Sequence, residues 1–182
     1  MDSDGGVAVL GRIRVRERPR RVVPPSPRRA GIPFPKQIPL LMDFHIRGWF
    51  FLDPTEYTTW GRTIFALQGR GLNSMFMRHR RAAQILELYY GGAALFVNMA
   101  VPDVTTFDNI WTYFLVQRKN GTVSVYIGTG QEAVLWGSTD YDRAIDSPLL
   151  LGFSGQMPET PKGFLDKVEL VVGQTVSEPD CF

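Results

Sequence analysis

The sequence predicts an all-β chain: a two-sheet antiparallel β-sandwich or jelly roll, preceded by an extended N-terminal arm. Three observations carry this. From residue 42 onward, short apolar-rich runs are broken by Gly, Asn or charge at roughly 8–12-residue spacing. No window of ten or more residues shows a convincing 3.6-residue period. Between two of the runs stands Asn120-Gly121, a strong hairpin signal because both residues tolerate the positive φ of a type I′ turn.

The runs follow in order. MDFHIRGWFFLD (42–53) is aromatic and partly alternating; RTIFALQG (62–69), SMFMRHR (74–80), AQILELYYG (83–91) and AALFVN (93–98) come next. As a strand, ILELYY places Leu86, Leu88 and Tyr90 on one face and Ile85, Glu87 and Tyr89 on the other, with the first as the core side. NIWTYFLVQRK (109–119) and TVSVYIG (122–128) flank the Asn-Gly turn. AVLW (133–136), LLLGFSG (149–155) and FLDKVELVVG (164–173) complete the set.

Charge divides the chain. Residues 1–36 hold nine basic against three acidic side chains, a net +6; residues 37–182 hold eleven against fifteen, a net −4. Seven of the 13 prolines fall before residue 40. The composition break gives three parts: a basic, Pro-rich arm (1–40), a β-sandwich (41–176) and a short C-terminal tail (177–182). With 44% hydrophobic residues the chain can build a core. Its single cysteine, Cys181, excludes an internal disulfide framework and a cysteine-based metal site. No 18-residue apolar run suggests a membrane span, and the first 30 residues lack the apolar stretch of a secretory signal.

Three segments of the sandwich region resemble the concanavalin A-like, laminin-G-like jelly rolls. FHIRGWFFLD (44–53) is similar to an early strand of that family. IWTYFLVQRKNGTVSVYIG (110–128) is similar to its central hairpin, in which a Trp opens a strand. LLLGFSGQMPETPKGFLDKVELV (149–171) is similar to its closing segment. Thr112-Tyr113 stands where the family has His-His, and Gly128-Thr129 where it has Asp-Gly. The family's first strand has one source here, GIPFPKQIPLL. The resemblance covers about residues 42–174 and implies a lectin-like fold, with Trp49, Trp111, Phe114, Tyr126, Phe164 and Val168 filling the space between the sheets.

The chemistry of an enzyme is not visible. Retaining glycoside hydrolysis needs two carboxylates close together on one face. Glu87 stands alone in its strand, and Asp166 and Glu169 are three apart, which in a regular strand points them to opposite faces. The loop STDYDRAID offers Asp140, Asp142 and Asp146, which could hold Ca²⁺, but it lacks the EF-hand spacing and glycine; a solvated loop is favoured. His45 and His79 do not form a multi-histidine zinc frame, and His79 in FMRHRRA reads as part of a basic patch at a strand end. No nucleophile elbow or phosphate loop occurs, so no catalytic residue, metal site or cofactor is nominated.

Binding and assembly remain. In the arm, Ile13 and Val15 fall on one side of an extended chain and Arg12, Arg14 and Arg16 on the other, followed by Arg18, Arg20 and Arg21. That alternation suits a strand added to a partner's sheet edge. A basic tail on nucleic acid is the weaker alternative: the arm has no aromatic stacking platform before Phe34, and the acidic body would repel a polyanion. An arm that laces jelly-roll subunits together resembles the accessory proteins of tailed bacteriophages, capsid decoration or tail-associated. The leading expectation is therefore a non-enzymatic virion protein, bound to neighbouring capsid or tail subunits by its arm in a homo-oligomer or lattice. The alternative is a carbohydrate-binding adhesin, with Tyr57, Trp60 and Trp136 as candidate platforms for host-surface glycans.

Overall fold

A computed structural model describes residues 31–32, 42–55, 62–67, 75–90, 95–101, 103, 105–130, 132–141, 149–151 and 163–176. Among them are eleven strands and no α-helix. β1 (Gly31–Ile32), β3 (Arg62–Leu67), β4 (Met75–Arg80), β5 (Ile85–Tyr90), β6 (Leu95–Ala100) and β10 (Leu149–Leu151) build a six-stranded sheet in the order β1-β10-β3-β4-β5-β6. β2 (Phe44–Leu52), β7 (Trp111–Lys119), β8 (Thr122–Gly128), β9 (Val134–Asp140) and β11 (Gly163–Val172) build a five-stranded sheet in the order β11-β2-β7-β8-β9. Every neighbouring pair of strands is antiparallel. This is the two-sheet antiparallel jelly-roll sandwich that the pattern predicts. β1 comes from GIPFPKQIPLL, so the sheet draws two residues from the N-terminal segment 1–40.

The apolar alternation decides which side of each strand faces inward. Phe44, Ile46, Phe50 and Leu52 of β2 are buried, as are Met75 and Met77 of β4 and Leu86 and Leu88 of β5. Leu86 and Leu88 are thus on the core side, as the alternation indicates. Phe114 of β7 joins the layers. Its ring stacks on Phe65 of β3 at 5.6 Å between centroids and lies 6.2 Å from Phe50. Phe107 meets Phe50 edge-on at 5.6 Å and closes the cluster.

Turn chemistry connects the strands. Asn120 and Gly121 have φ of 52° and 83°, as a type I′ hairpin requires, and Lys119 pairs with Thr122 across it. The backbone N–H of Asn120 donates to Asp43 Oδ1 at 2.9 Å, anchoring the hairpin to the start of β2. β4 and β5 are joined by one 3₁₀ turn (Arg81–Ala83), closed by Gln84 in the left-handed region at φ 52°.

Three readings need correction. Trp49, Trp111, Tyr126 and Phe164 do not fill the core: Phe164, Phe51 and Trp111 form one cross-strand row on the outward side, where Phe164 is 63% and Trp111 42% exposed, and Trp49 and Tyr126 alternate outward from the buried Phe50 and from the buried Val125 and Ile127. Asp166 and Glu169 do not point to opposite faces. A β-bulge between them pairs Asp166 with Trp49 and Glu169 with Arg47, which share one side of β2. Lys167, at φ 49°, lies within the bulge. Gly48 makes room for it: a Cβ there would come within 2.9 Å of Val168 Cγ2. His79, finally, is not a solvated strand end but is buried, pointing inward opposite Leu86.

His79 meets the Phe107 ring edge-on at 5.2 Å, and its Nε2 makes no hydrogen bond among the described residues. Burial pushes its pKa down from 6.5 to about 4; the Asp108 charge opposes this and that of Arg62 adds to it. The folded chain therefore refuses a proton that the unfolded chain accepts between those values. The stabilising contribution is complete above pH 6.5 and is lost as the pH falls towards 4, by about 3 kcal/mol in all. Urea unfolding at pH 7 and pH 4 should show this loss in the wild type and not in His79→Phe.

Candidate functional site

The outward side of the six-stranded sheet carries a compact set of chemically active side chains. β4 alternates strictly: Met75, Met77 and His79 are buried inward, while Phe76, Arg78 and Arg80 face out. On β5 the outward positions are Ile85, Glu87 and Tyr89. Register sets them opposite in pairs: Phe76 with Tyr89, Arg78 with Glu87, and Arg80 with Ile85. The face is thus tiled in rows, an aromatic pair beside an ion pair.

Each row has its own geometry. The rings of Phe76 and Tyr89 stack with centroids 4.6 Å apart and planes 27° from parallel. The Arg78 guanidinium lies 5.4 Å from the Phe76 ring centre, within cation–π range. Its Nε donates to Glu87 Oε2, while Arg80 Nη1 reaches Glu87 Oε1 at 3.5 Å. The Glu87 side chain is 2% exposed although it lies on the outward side of its sheet. A carboxylate so placed has its oxygens met by guanidinium donors in place of water.

A second polar group braces the other sheet. Glu169 Oε1 accepts from Arg47 Nε at 2.7 Å and lies 3.4 Å from His45 Nε2, while His45 Nδ1 is 3.1 Å from the Gln174 carbonyl oxygen. Burial pushes the Glu169 pKa up, but the Arg47 hydrogen bond and charge, with those of His45, outweigh it and hold the carboxyl below its ordinary range. Such a carboxylate is poorly suited to act as a general acid. Residues from β2, β11 and the segment after it meet here, so the group ties the end of β11 to the sheet.

The residues singled out from sequence fall as follows. Arg12, Ile13, Arg14, Val15, Arg16, Arg18, Arg20 and Arg21 lie outside the described residues, as do Tyr57, Trp60, Asp142 and Asp146. Trp136 is partly buried. The β8–β9 register shifts at Val125/Tyr126, leaving Trp136 as the extra residue, and its ring packs against the core 5.6 Å from Phe107. Asp140 ends β9 and accepts from Thr122 Oγ1 at 3.4 Å. Among the described residues no group of three or more His, Cys, Asp or Glu side chains could hold a metal ion. Among them, too, no helix is long and apolar enough to cross a membrane. The Arg78–Glu87–Arg80 group was missed by the sequence reading, which took FMRHRRA as one basic patch. The signal was there in the period of two, which sends His79 inward and the two arginines outward.

No family model and no curated protein matches the sequence. The likeness to solved structures is one of fold. Domains LG4-5 of the mouse laminin α1 chain superpose with a TM-score of 0.54 at 8% identity, over 78% of this chain; the match spans 38% of the laminin chain. The Ruminococcus gnavus IT-sialidase CBM40 bound to α2,3-sialyllactose gives 0.50 at 9% identity, over 81% of this chain and 91% of that one. Domain 4 of AbnA, a GH43 extracellular arabinanase from Geobacillus stearothermophilus in complex with arabinotriose, gives 0.50 at 18% identity, over 79% and 66%. The chain therefore has the jelly-roll fold of laminin-G-like and carbohydrate-binding-module domains.

Glu87→Gln keeps the shape of the buried side chain and removes its charge, leaving Arg78 without a counter-ion. Stability should fall by about 2 kcal/mol in urea unfolding. Removing both partners in Arg78→Met/Glu87→Met should recover part of that loss, because no charge is then stranded.

Proposed function

We propose that the domain is a carbohydrate-binding jelly roll whose ligand lies on the outward face of β4 and β5. The observation that carries this is the stacked Phe76–Tyr89 pair beside a buried carboxylate shared by two arginines. The apolar face of a sugar ring would lie against the aromatic pair. Its hydroxyls would accept from the two guanidinium groups, which the buried Glu87 carboxylate holds in place. A carboxylate and two arginines contribute little as stability devices on a sheet surface, where apolar residues of similar volume serve as well. Fixing the orientation of a polar ligand is a use for them that apolar residues cannot replace.

Other observations support binding over hydrolysis. Glu87 is the one carboxylate on this face among the described residues, whereas glycoside hydrolysis employs two. Two of the solved structures with this fold hold sugars, sialyllactose in one and arabinotriose in the other. A glycan array probed with the full-length protein tests the reading. Bound glycans should lose about tenfold in affinity, roughly 1.4 kcal/mol, on Phe76→Ala or Tyr89→Ala. A blank array, or binding indifferent to both substitutions, would count against it.

A second reading concerns where the domain is displayed. The arm carries a net +6 against −4 for the rest of the chain, and its Ile13/Val15 register suits a strand added to a partner's sheet. We infer a structural or accessory role in a virus particle, on the capsid or the tail, with the arm as the anchor and the sandwich turned outward. Deleting residues 1–30, which spares β1, should leave a folded sandwich that no longer enters the particle. Incorporation at the normal level would sink this reading and leave the glycan site untouched.

A further inference from the structure

We propose that the sugar held on the β4–β5 face carries an anionic oxygen group, carboxylate or sulfate, and that Arg80 is the residue that takes it. This rests on the glycan-binding reading above and names the class of glycan. Two arginines and one glutamate leave the face with a formal charge of +1. Their contacts are unequal. Arg78 is committed: its Nε is on Glu87 Oε2, its guanidinium lies over Phe76, and its side chain is 14% exposed. Arg80 reaches Glu87 Oε1 only at 3.5 Å, the outer limit of a hydrogen bond, and its side chain is 38% exposed.

Arg80 thus presents a planar fork of donors of which one is weakly used. Arg78 is the nearer of the two partners of Glu87. The next arginine along the chain, Arg81, is paired with Asp108 at 3.1 Å and does not compete for the same position. A neutral sugar laid over this face would strip water from the Arg80 guanidinium and return only hydroxyl contacts. An anionic group at the same place would return a charge-assisted pair in a partly dry setting, where such a pair is strongest.

The spacing of the rows adds a length requirement. Phe76 and Arg80 are four residues apart on one extended strand, which separates their Cα atoms by about 13 Å. A ligand that packs against the Phe76–Tyr89 pair while giving its anion to Arg80 must therefore be an oligosaccharide with the anionic unit displaced from the packed one. Arg78 lies between, on the strand that carries both, and its guanidinium would meet the hydroxyls of the connecting unit.

The experiment is calorimetric titration of the full-length protein at low ionic strength with trigalacturonate, a sulfated heparin trisaccharide and neutral galactotriose. At least one anionic probe should bind tenfold or more tighter than galactotriose, and that advantage should shrink as salt is added. The preferred probe tells carboxylate from sulfate. Arg80→Gln should weaken the preferred probe by tenfold or more while unfolding at the wild-type temperature, and Arg80→Lys should restore part of the affinity. Galactotriose binding as tightly as both anionic probes, in a manner sensitive to Phe76→Ala, would overturn the anionic inference and leave the glycan reading standing. Binding of no probe, together with a blank glycan array, would overturn both.

Discussion

Phe65 and Phe114 stack across the interior with their planes 19° from parallel, and this one contact fixes the relation of the two sheets. Phe65 belongs to β3 of the six-stranded sheet and Phe114 to β7 of the five-stranded one. With both rings committed inward, the period of two along each strand leaves no choice for the remaining positions. Met77, paired with Phe65, must face inward, and Arg78 beside it must face out. The charged row on the outer surface is therefore set by an aromatic contact in the core.

The same logic explains why the outer face can hold a buried carboxylate at all. A strand locked on one side presents its other side in a fixed register, so Glu87 meets Arg78 without either side chain having to be ordered anew. The entropic cost of that ordering is carried by the core, whose apolar burial is large enough to bear it. A ligand arriving at this face would find its partners already in place, which favours affinity by reducing what must be immobilised on binding. The Phe76–Tyr89 stack contributes in the same sense, since each ring restricts the other.

Much of this was legible in the sequence, for physical reasons that also mark the limit. Alternation and turn chemistry are local, so the strands, the Asn120-Gly121 turn and the inward face of Leu86 and Leu88 could be read directly. Arg78 and Glu87 are nine residues apart across one short turn, and a hairpin pairing of β4 with β5 would have revealed them. Trp111 misled because β7 is buried on both sides, from Thr112 to Arg118, and carries apolar residues on both from Tyr113 to Val116, so hydrophobicity alone does not tell its two faces apart. The bulge at Asp166 and Glu169 has no local signature: it depends on Gly48, more than a hundred residues earlier, lying beneath it. His45 and Glu169 meet across a sequence separation of 124, which no short-range pattern encodes.

That bulge has a further consequence, for the protein's behaviour among copies of itself. Among the described residues β11 is an outermost strand of its sheet, and a long flat outermost strand offers backbone groups as a template for any other extended chain. The extra residue breaks the even spacing of those groups midway along β11, and Lys167, exposed at a positive φ, sets a charge at the break. A second chain could follow β11 for only a few residues before losing register. The irregularity that brings Asp166 and Glu169 to one side thus also makes this border of the sheet a poor seed for aggregation.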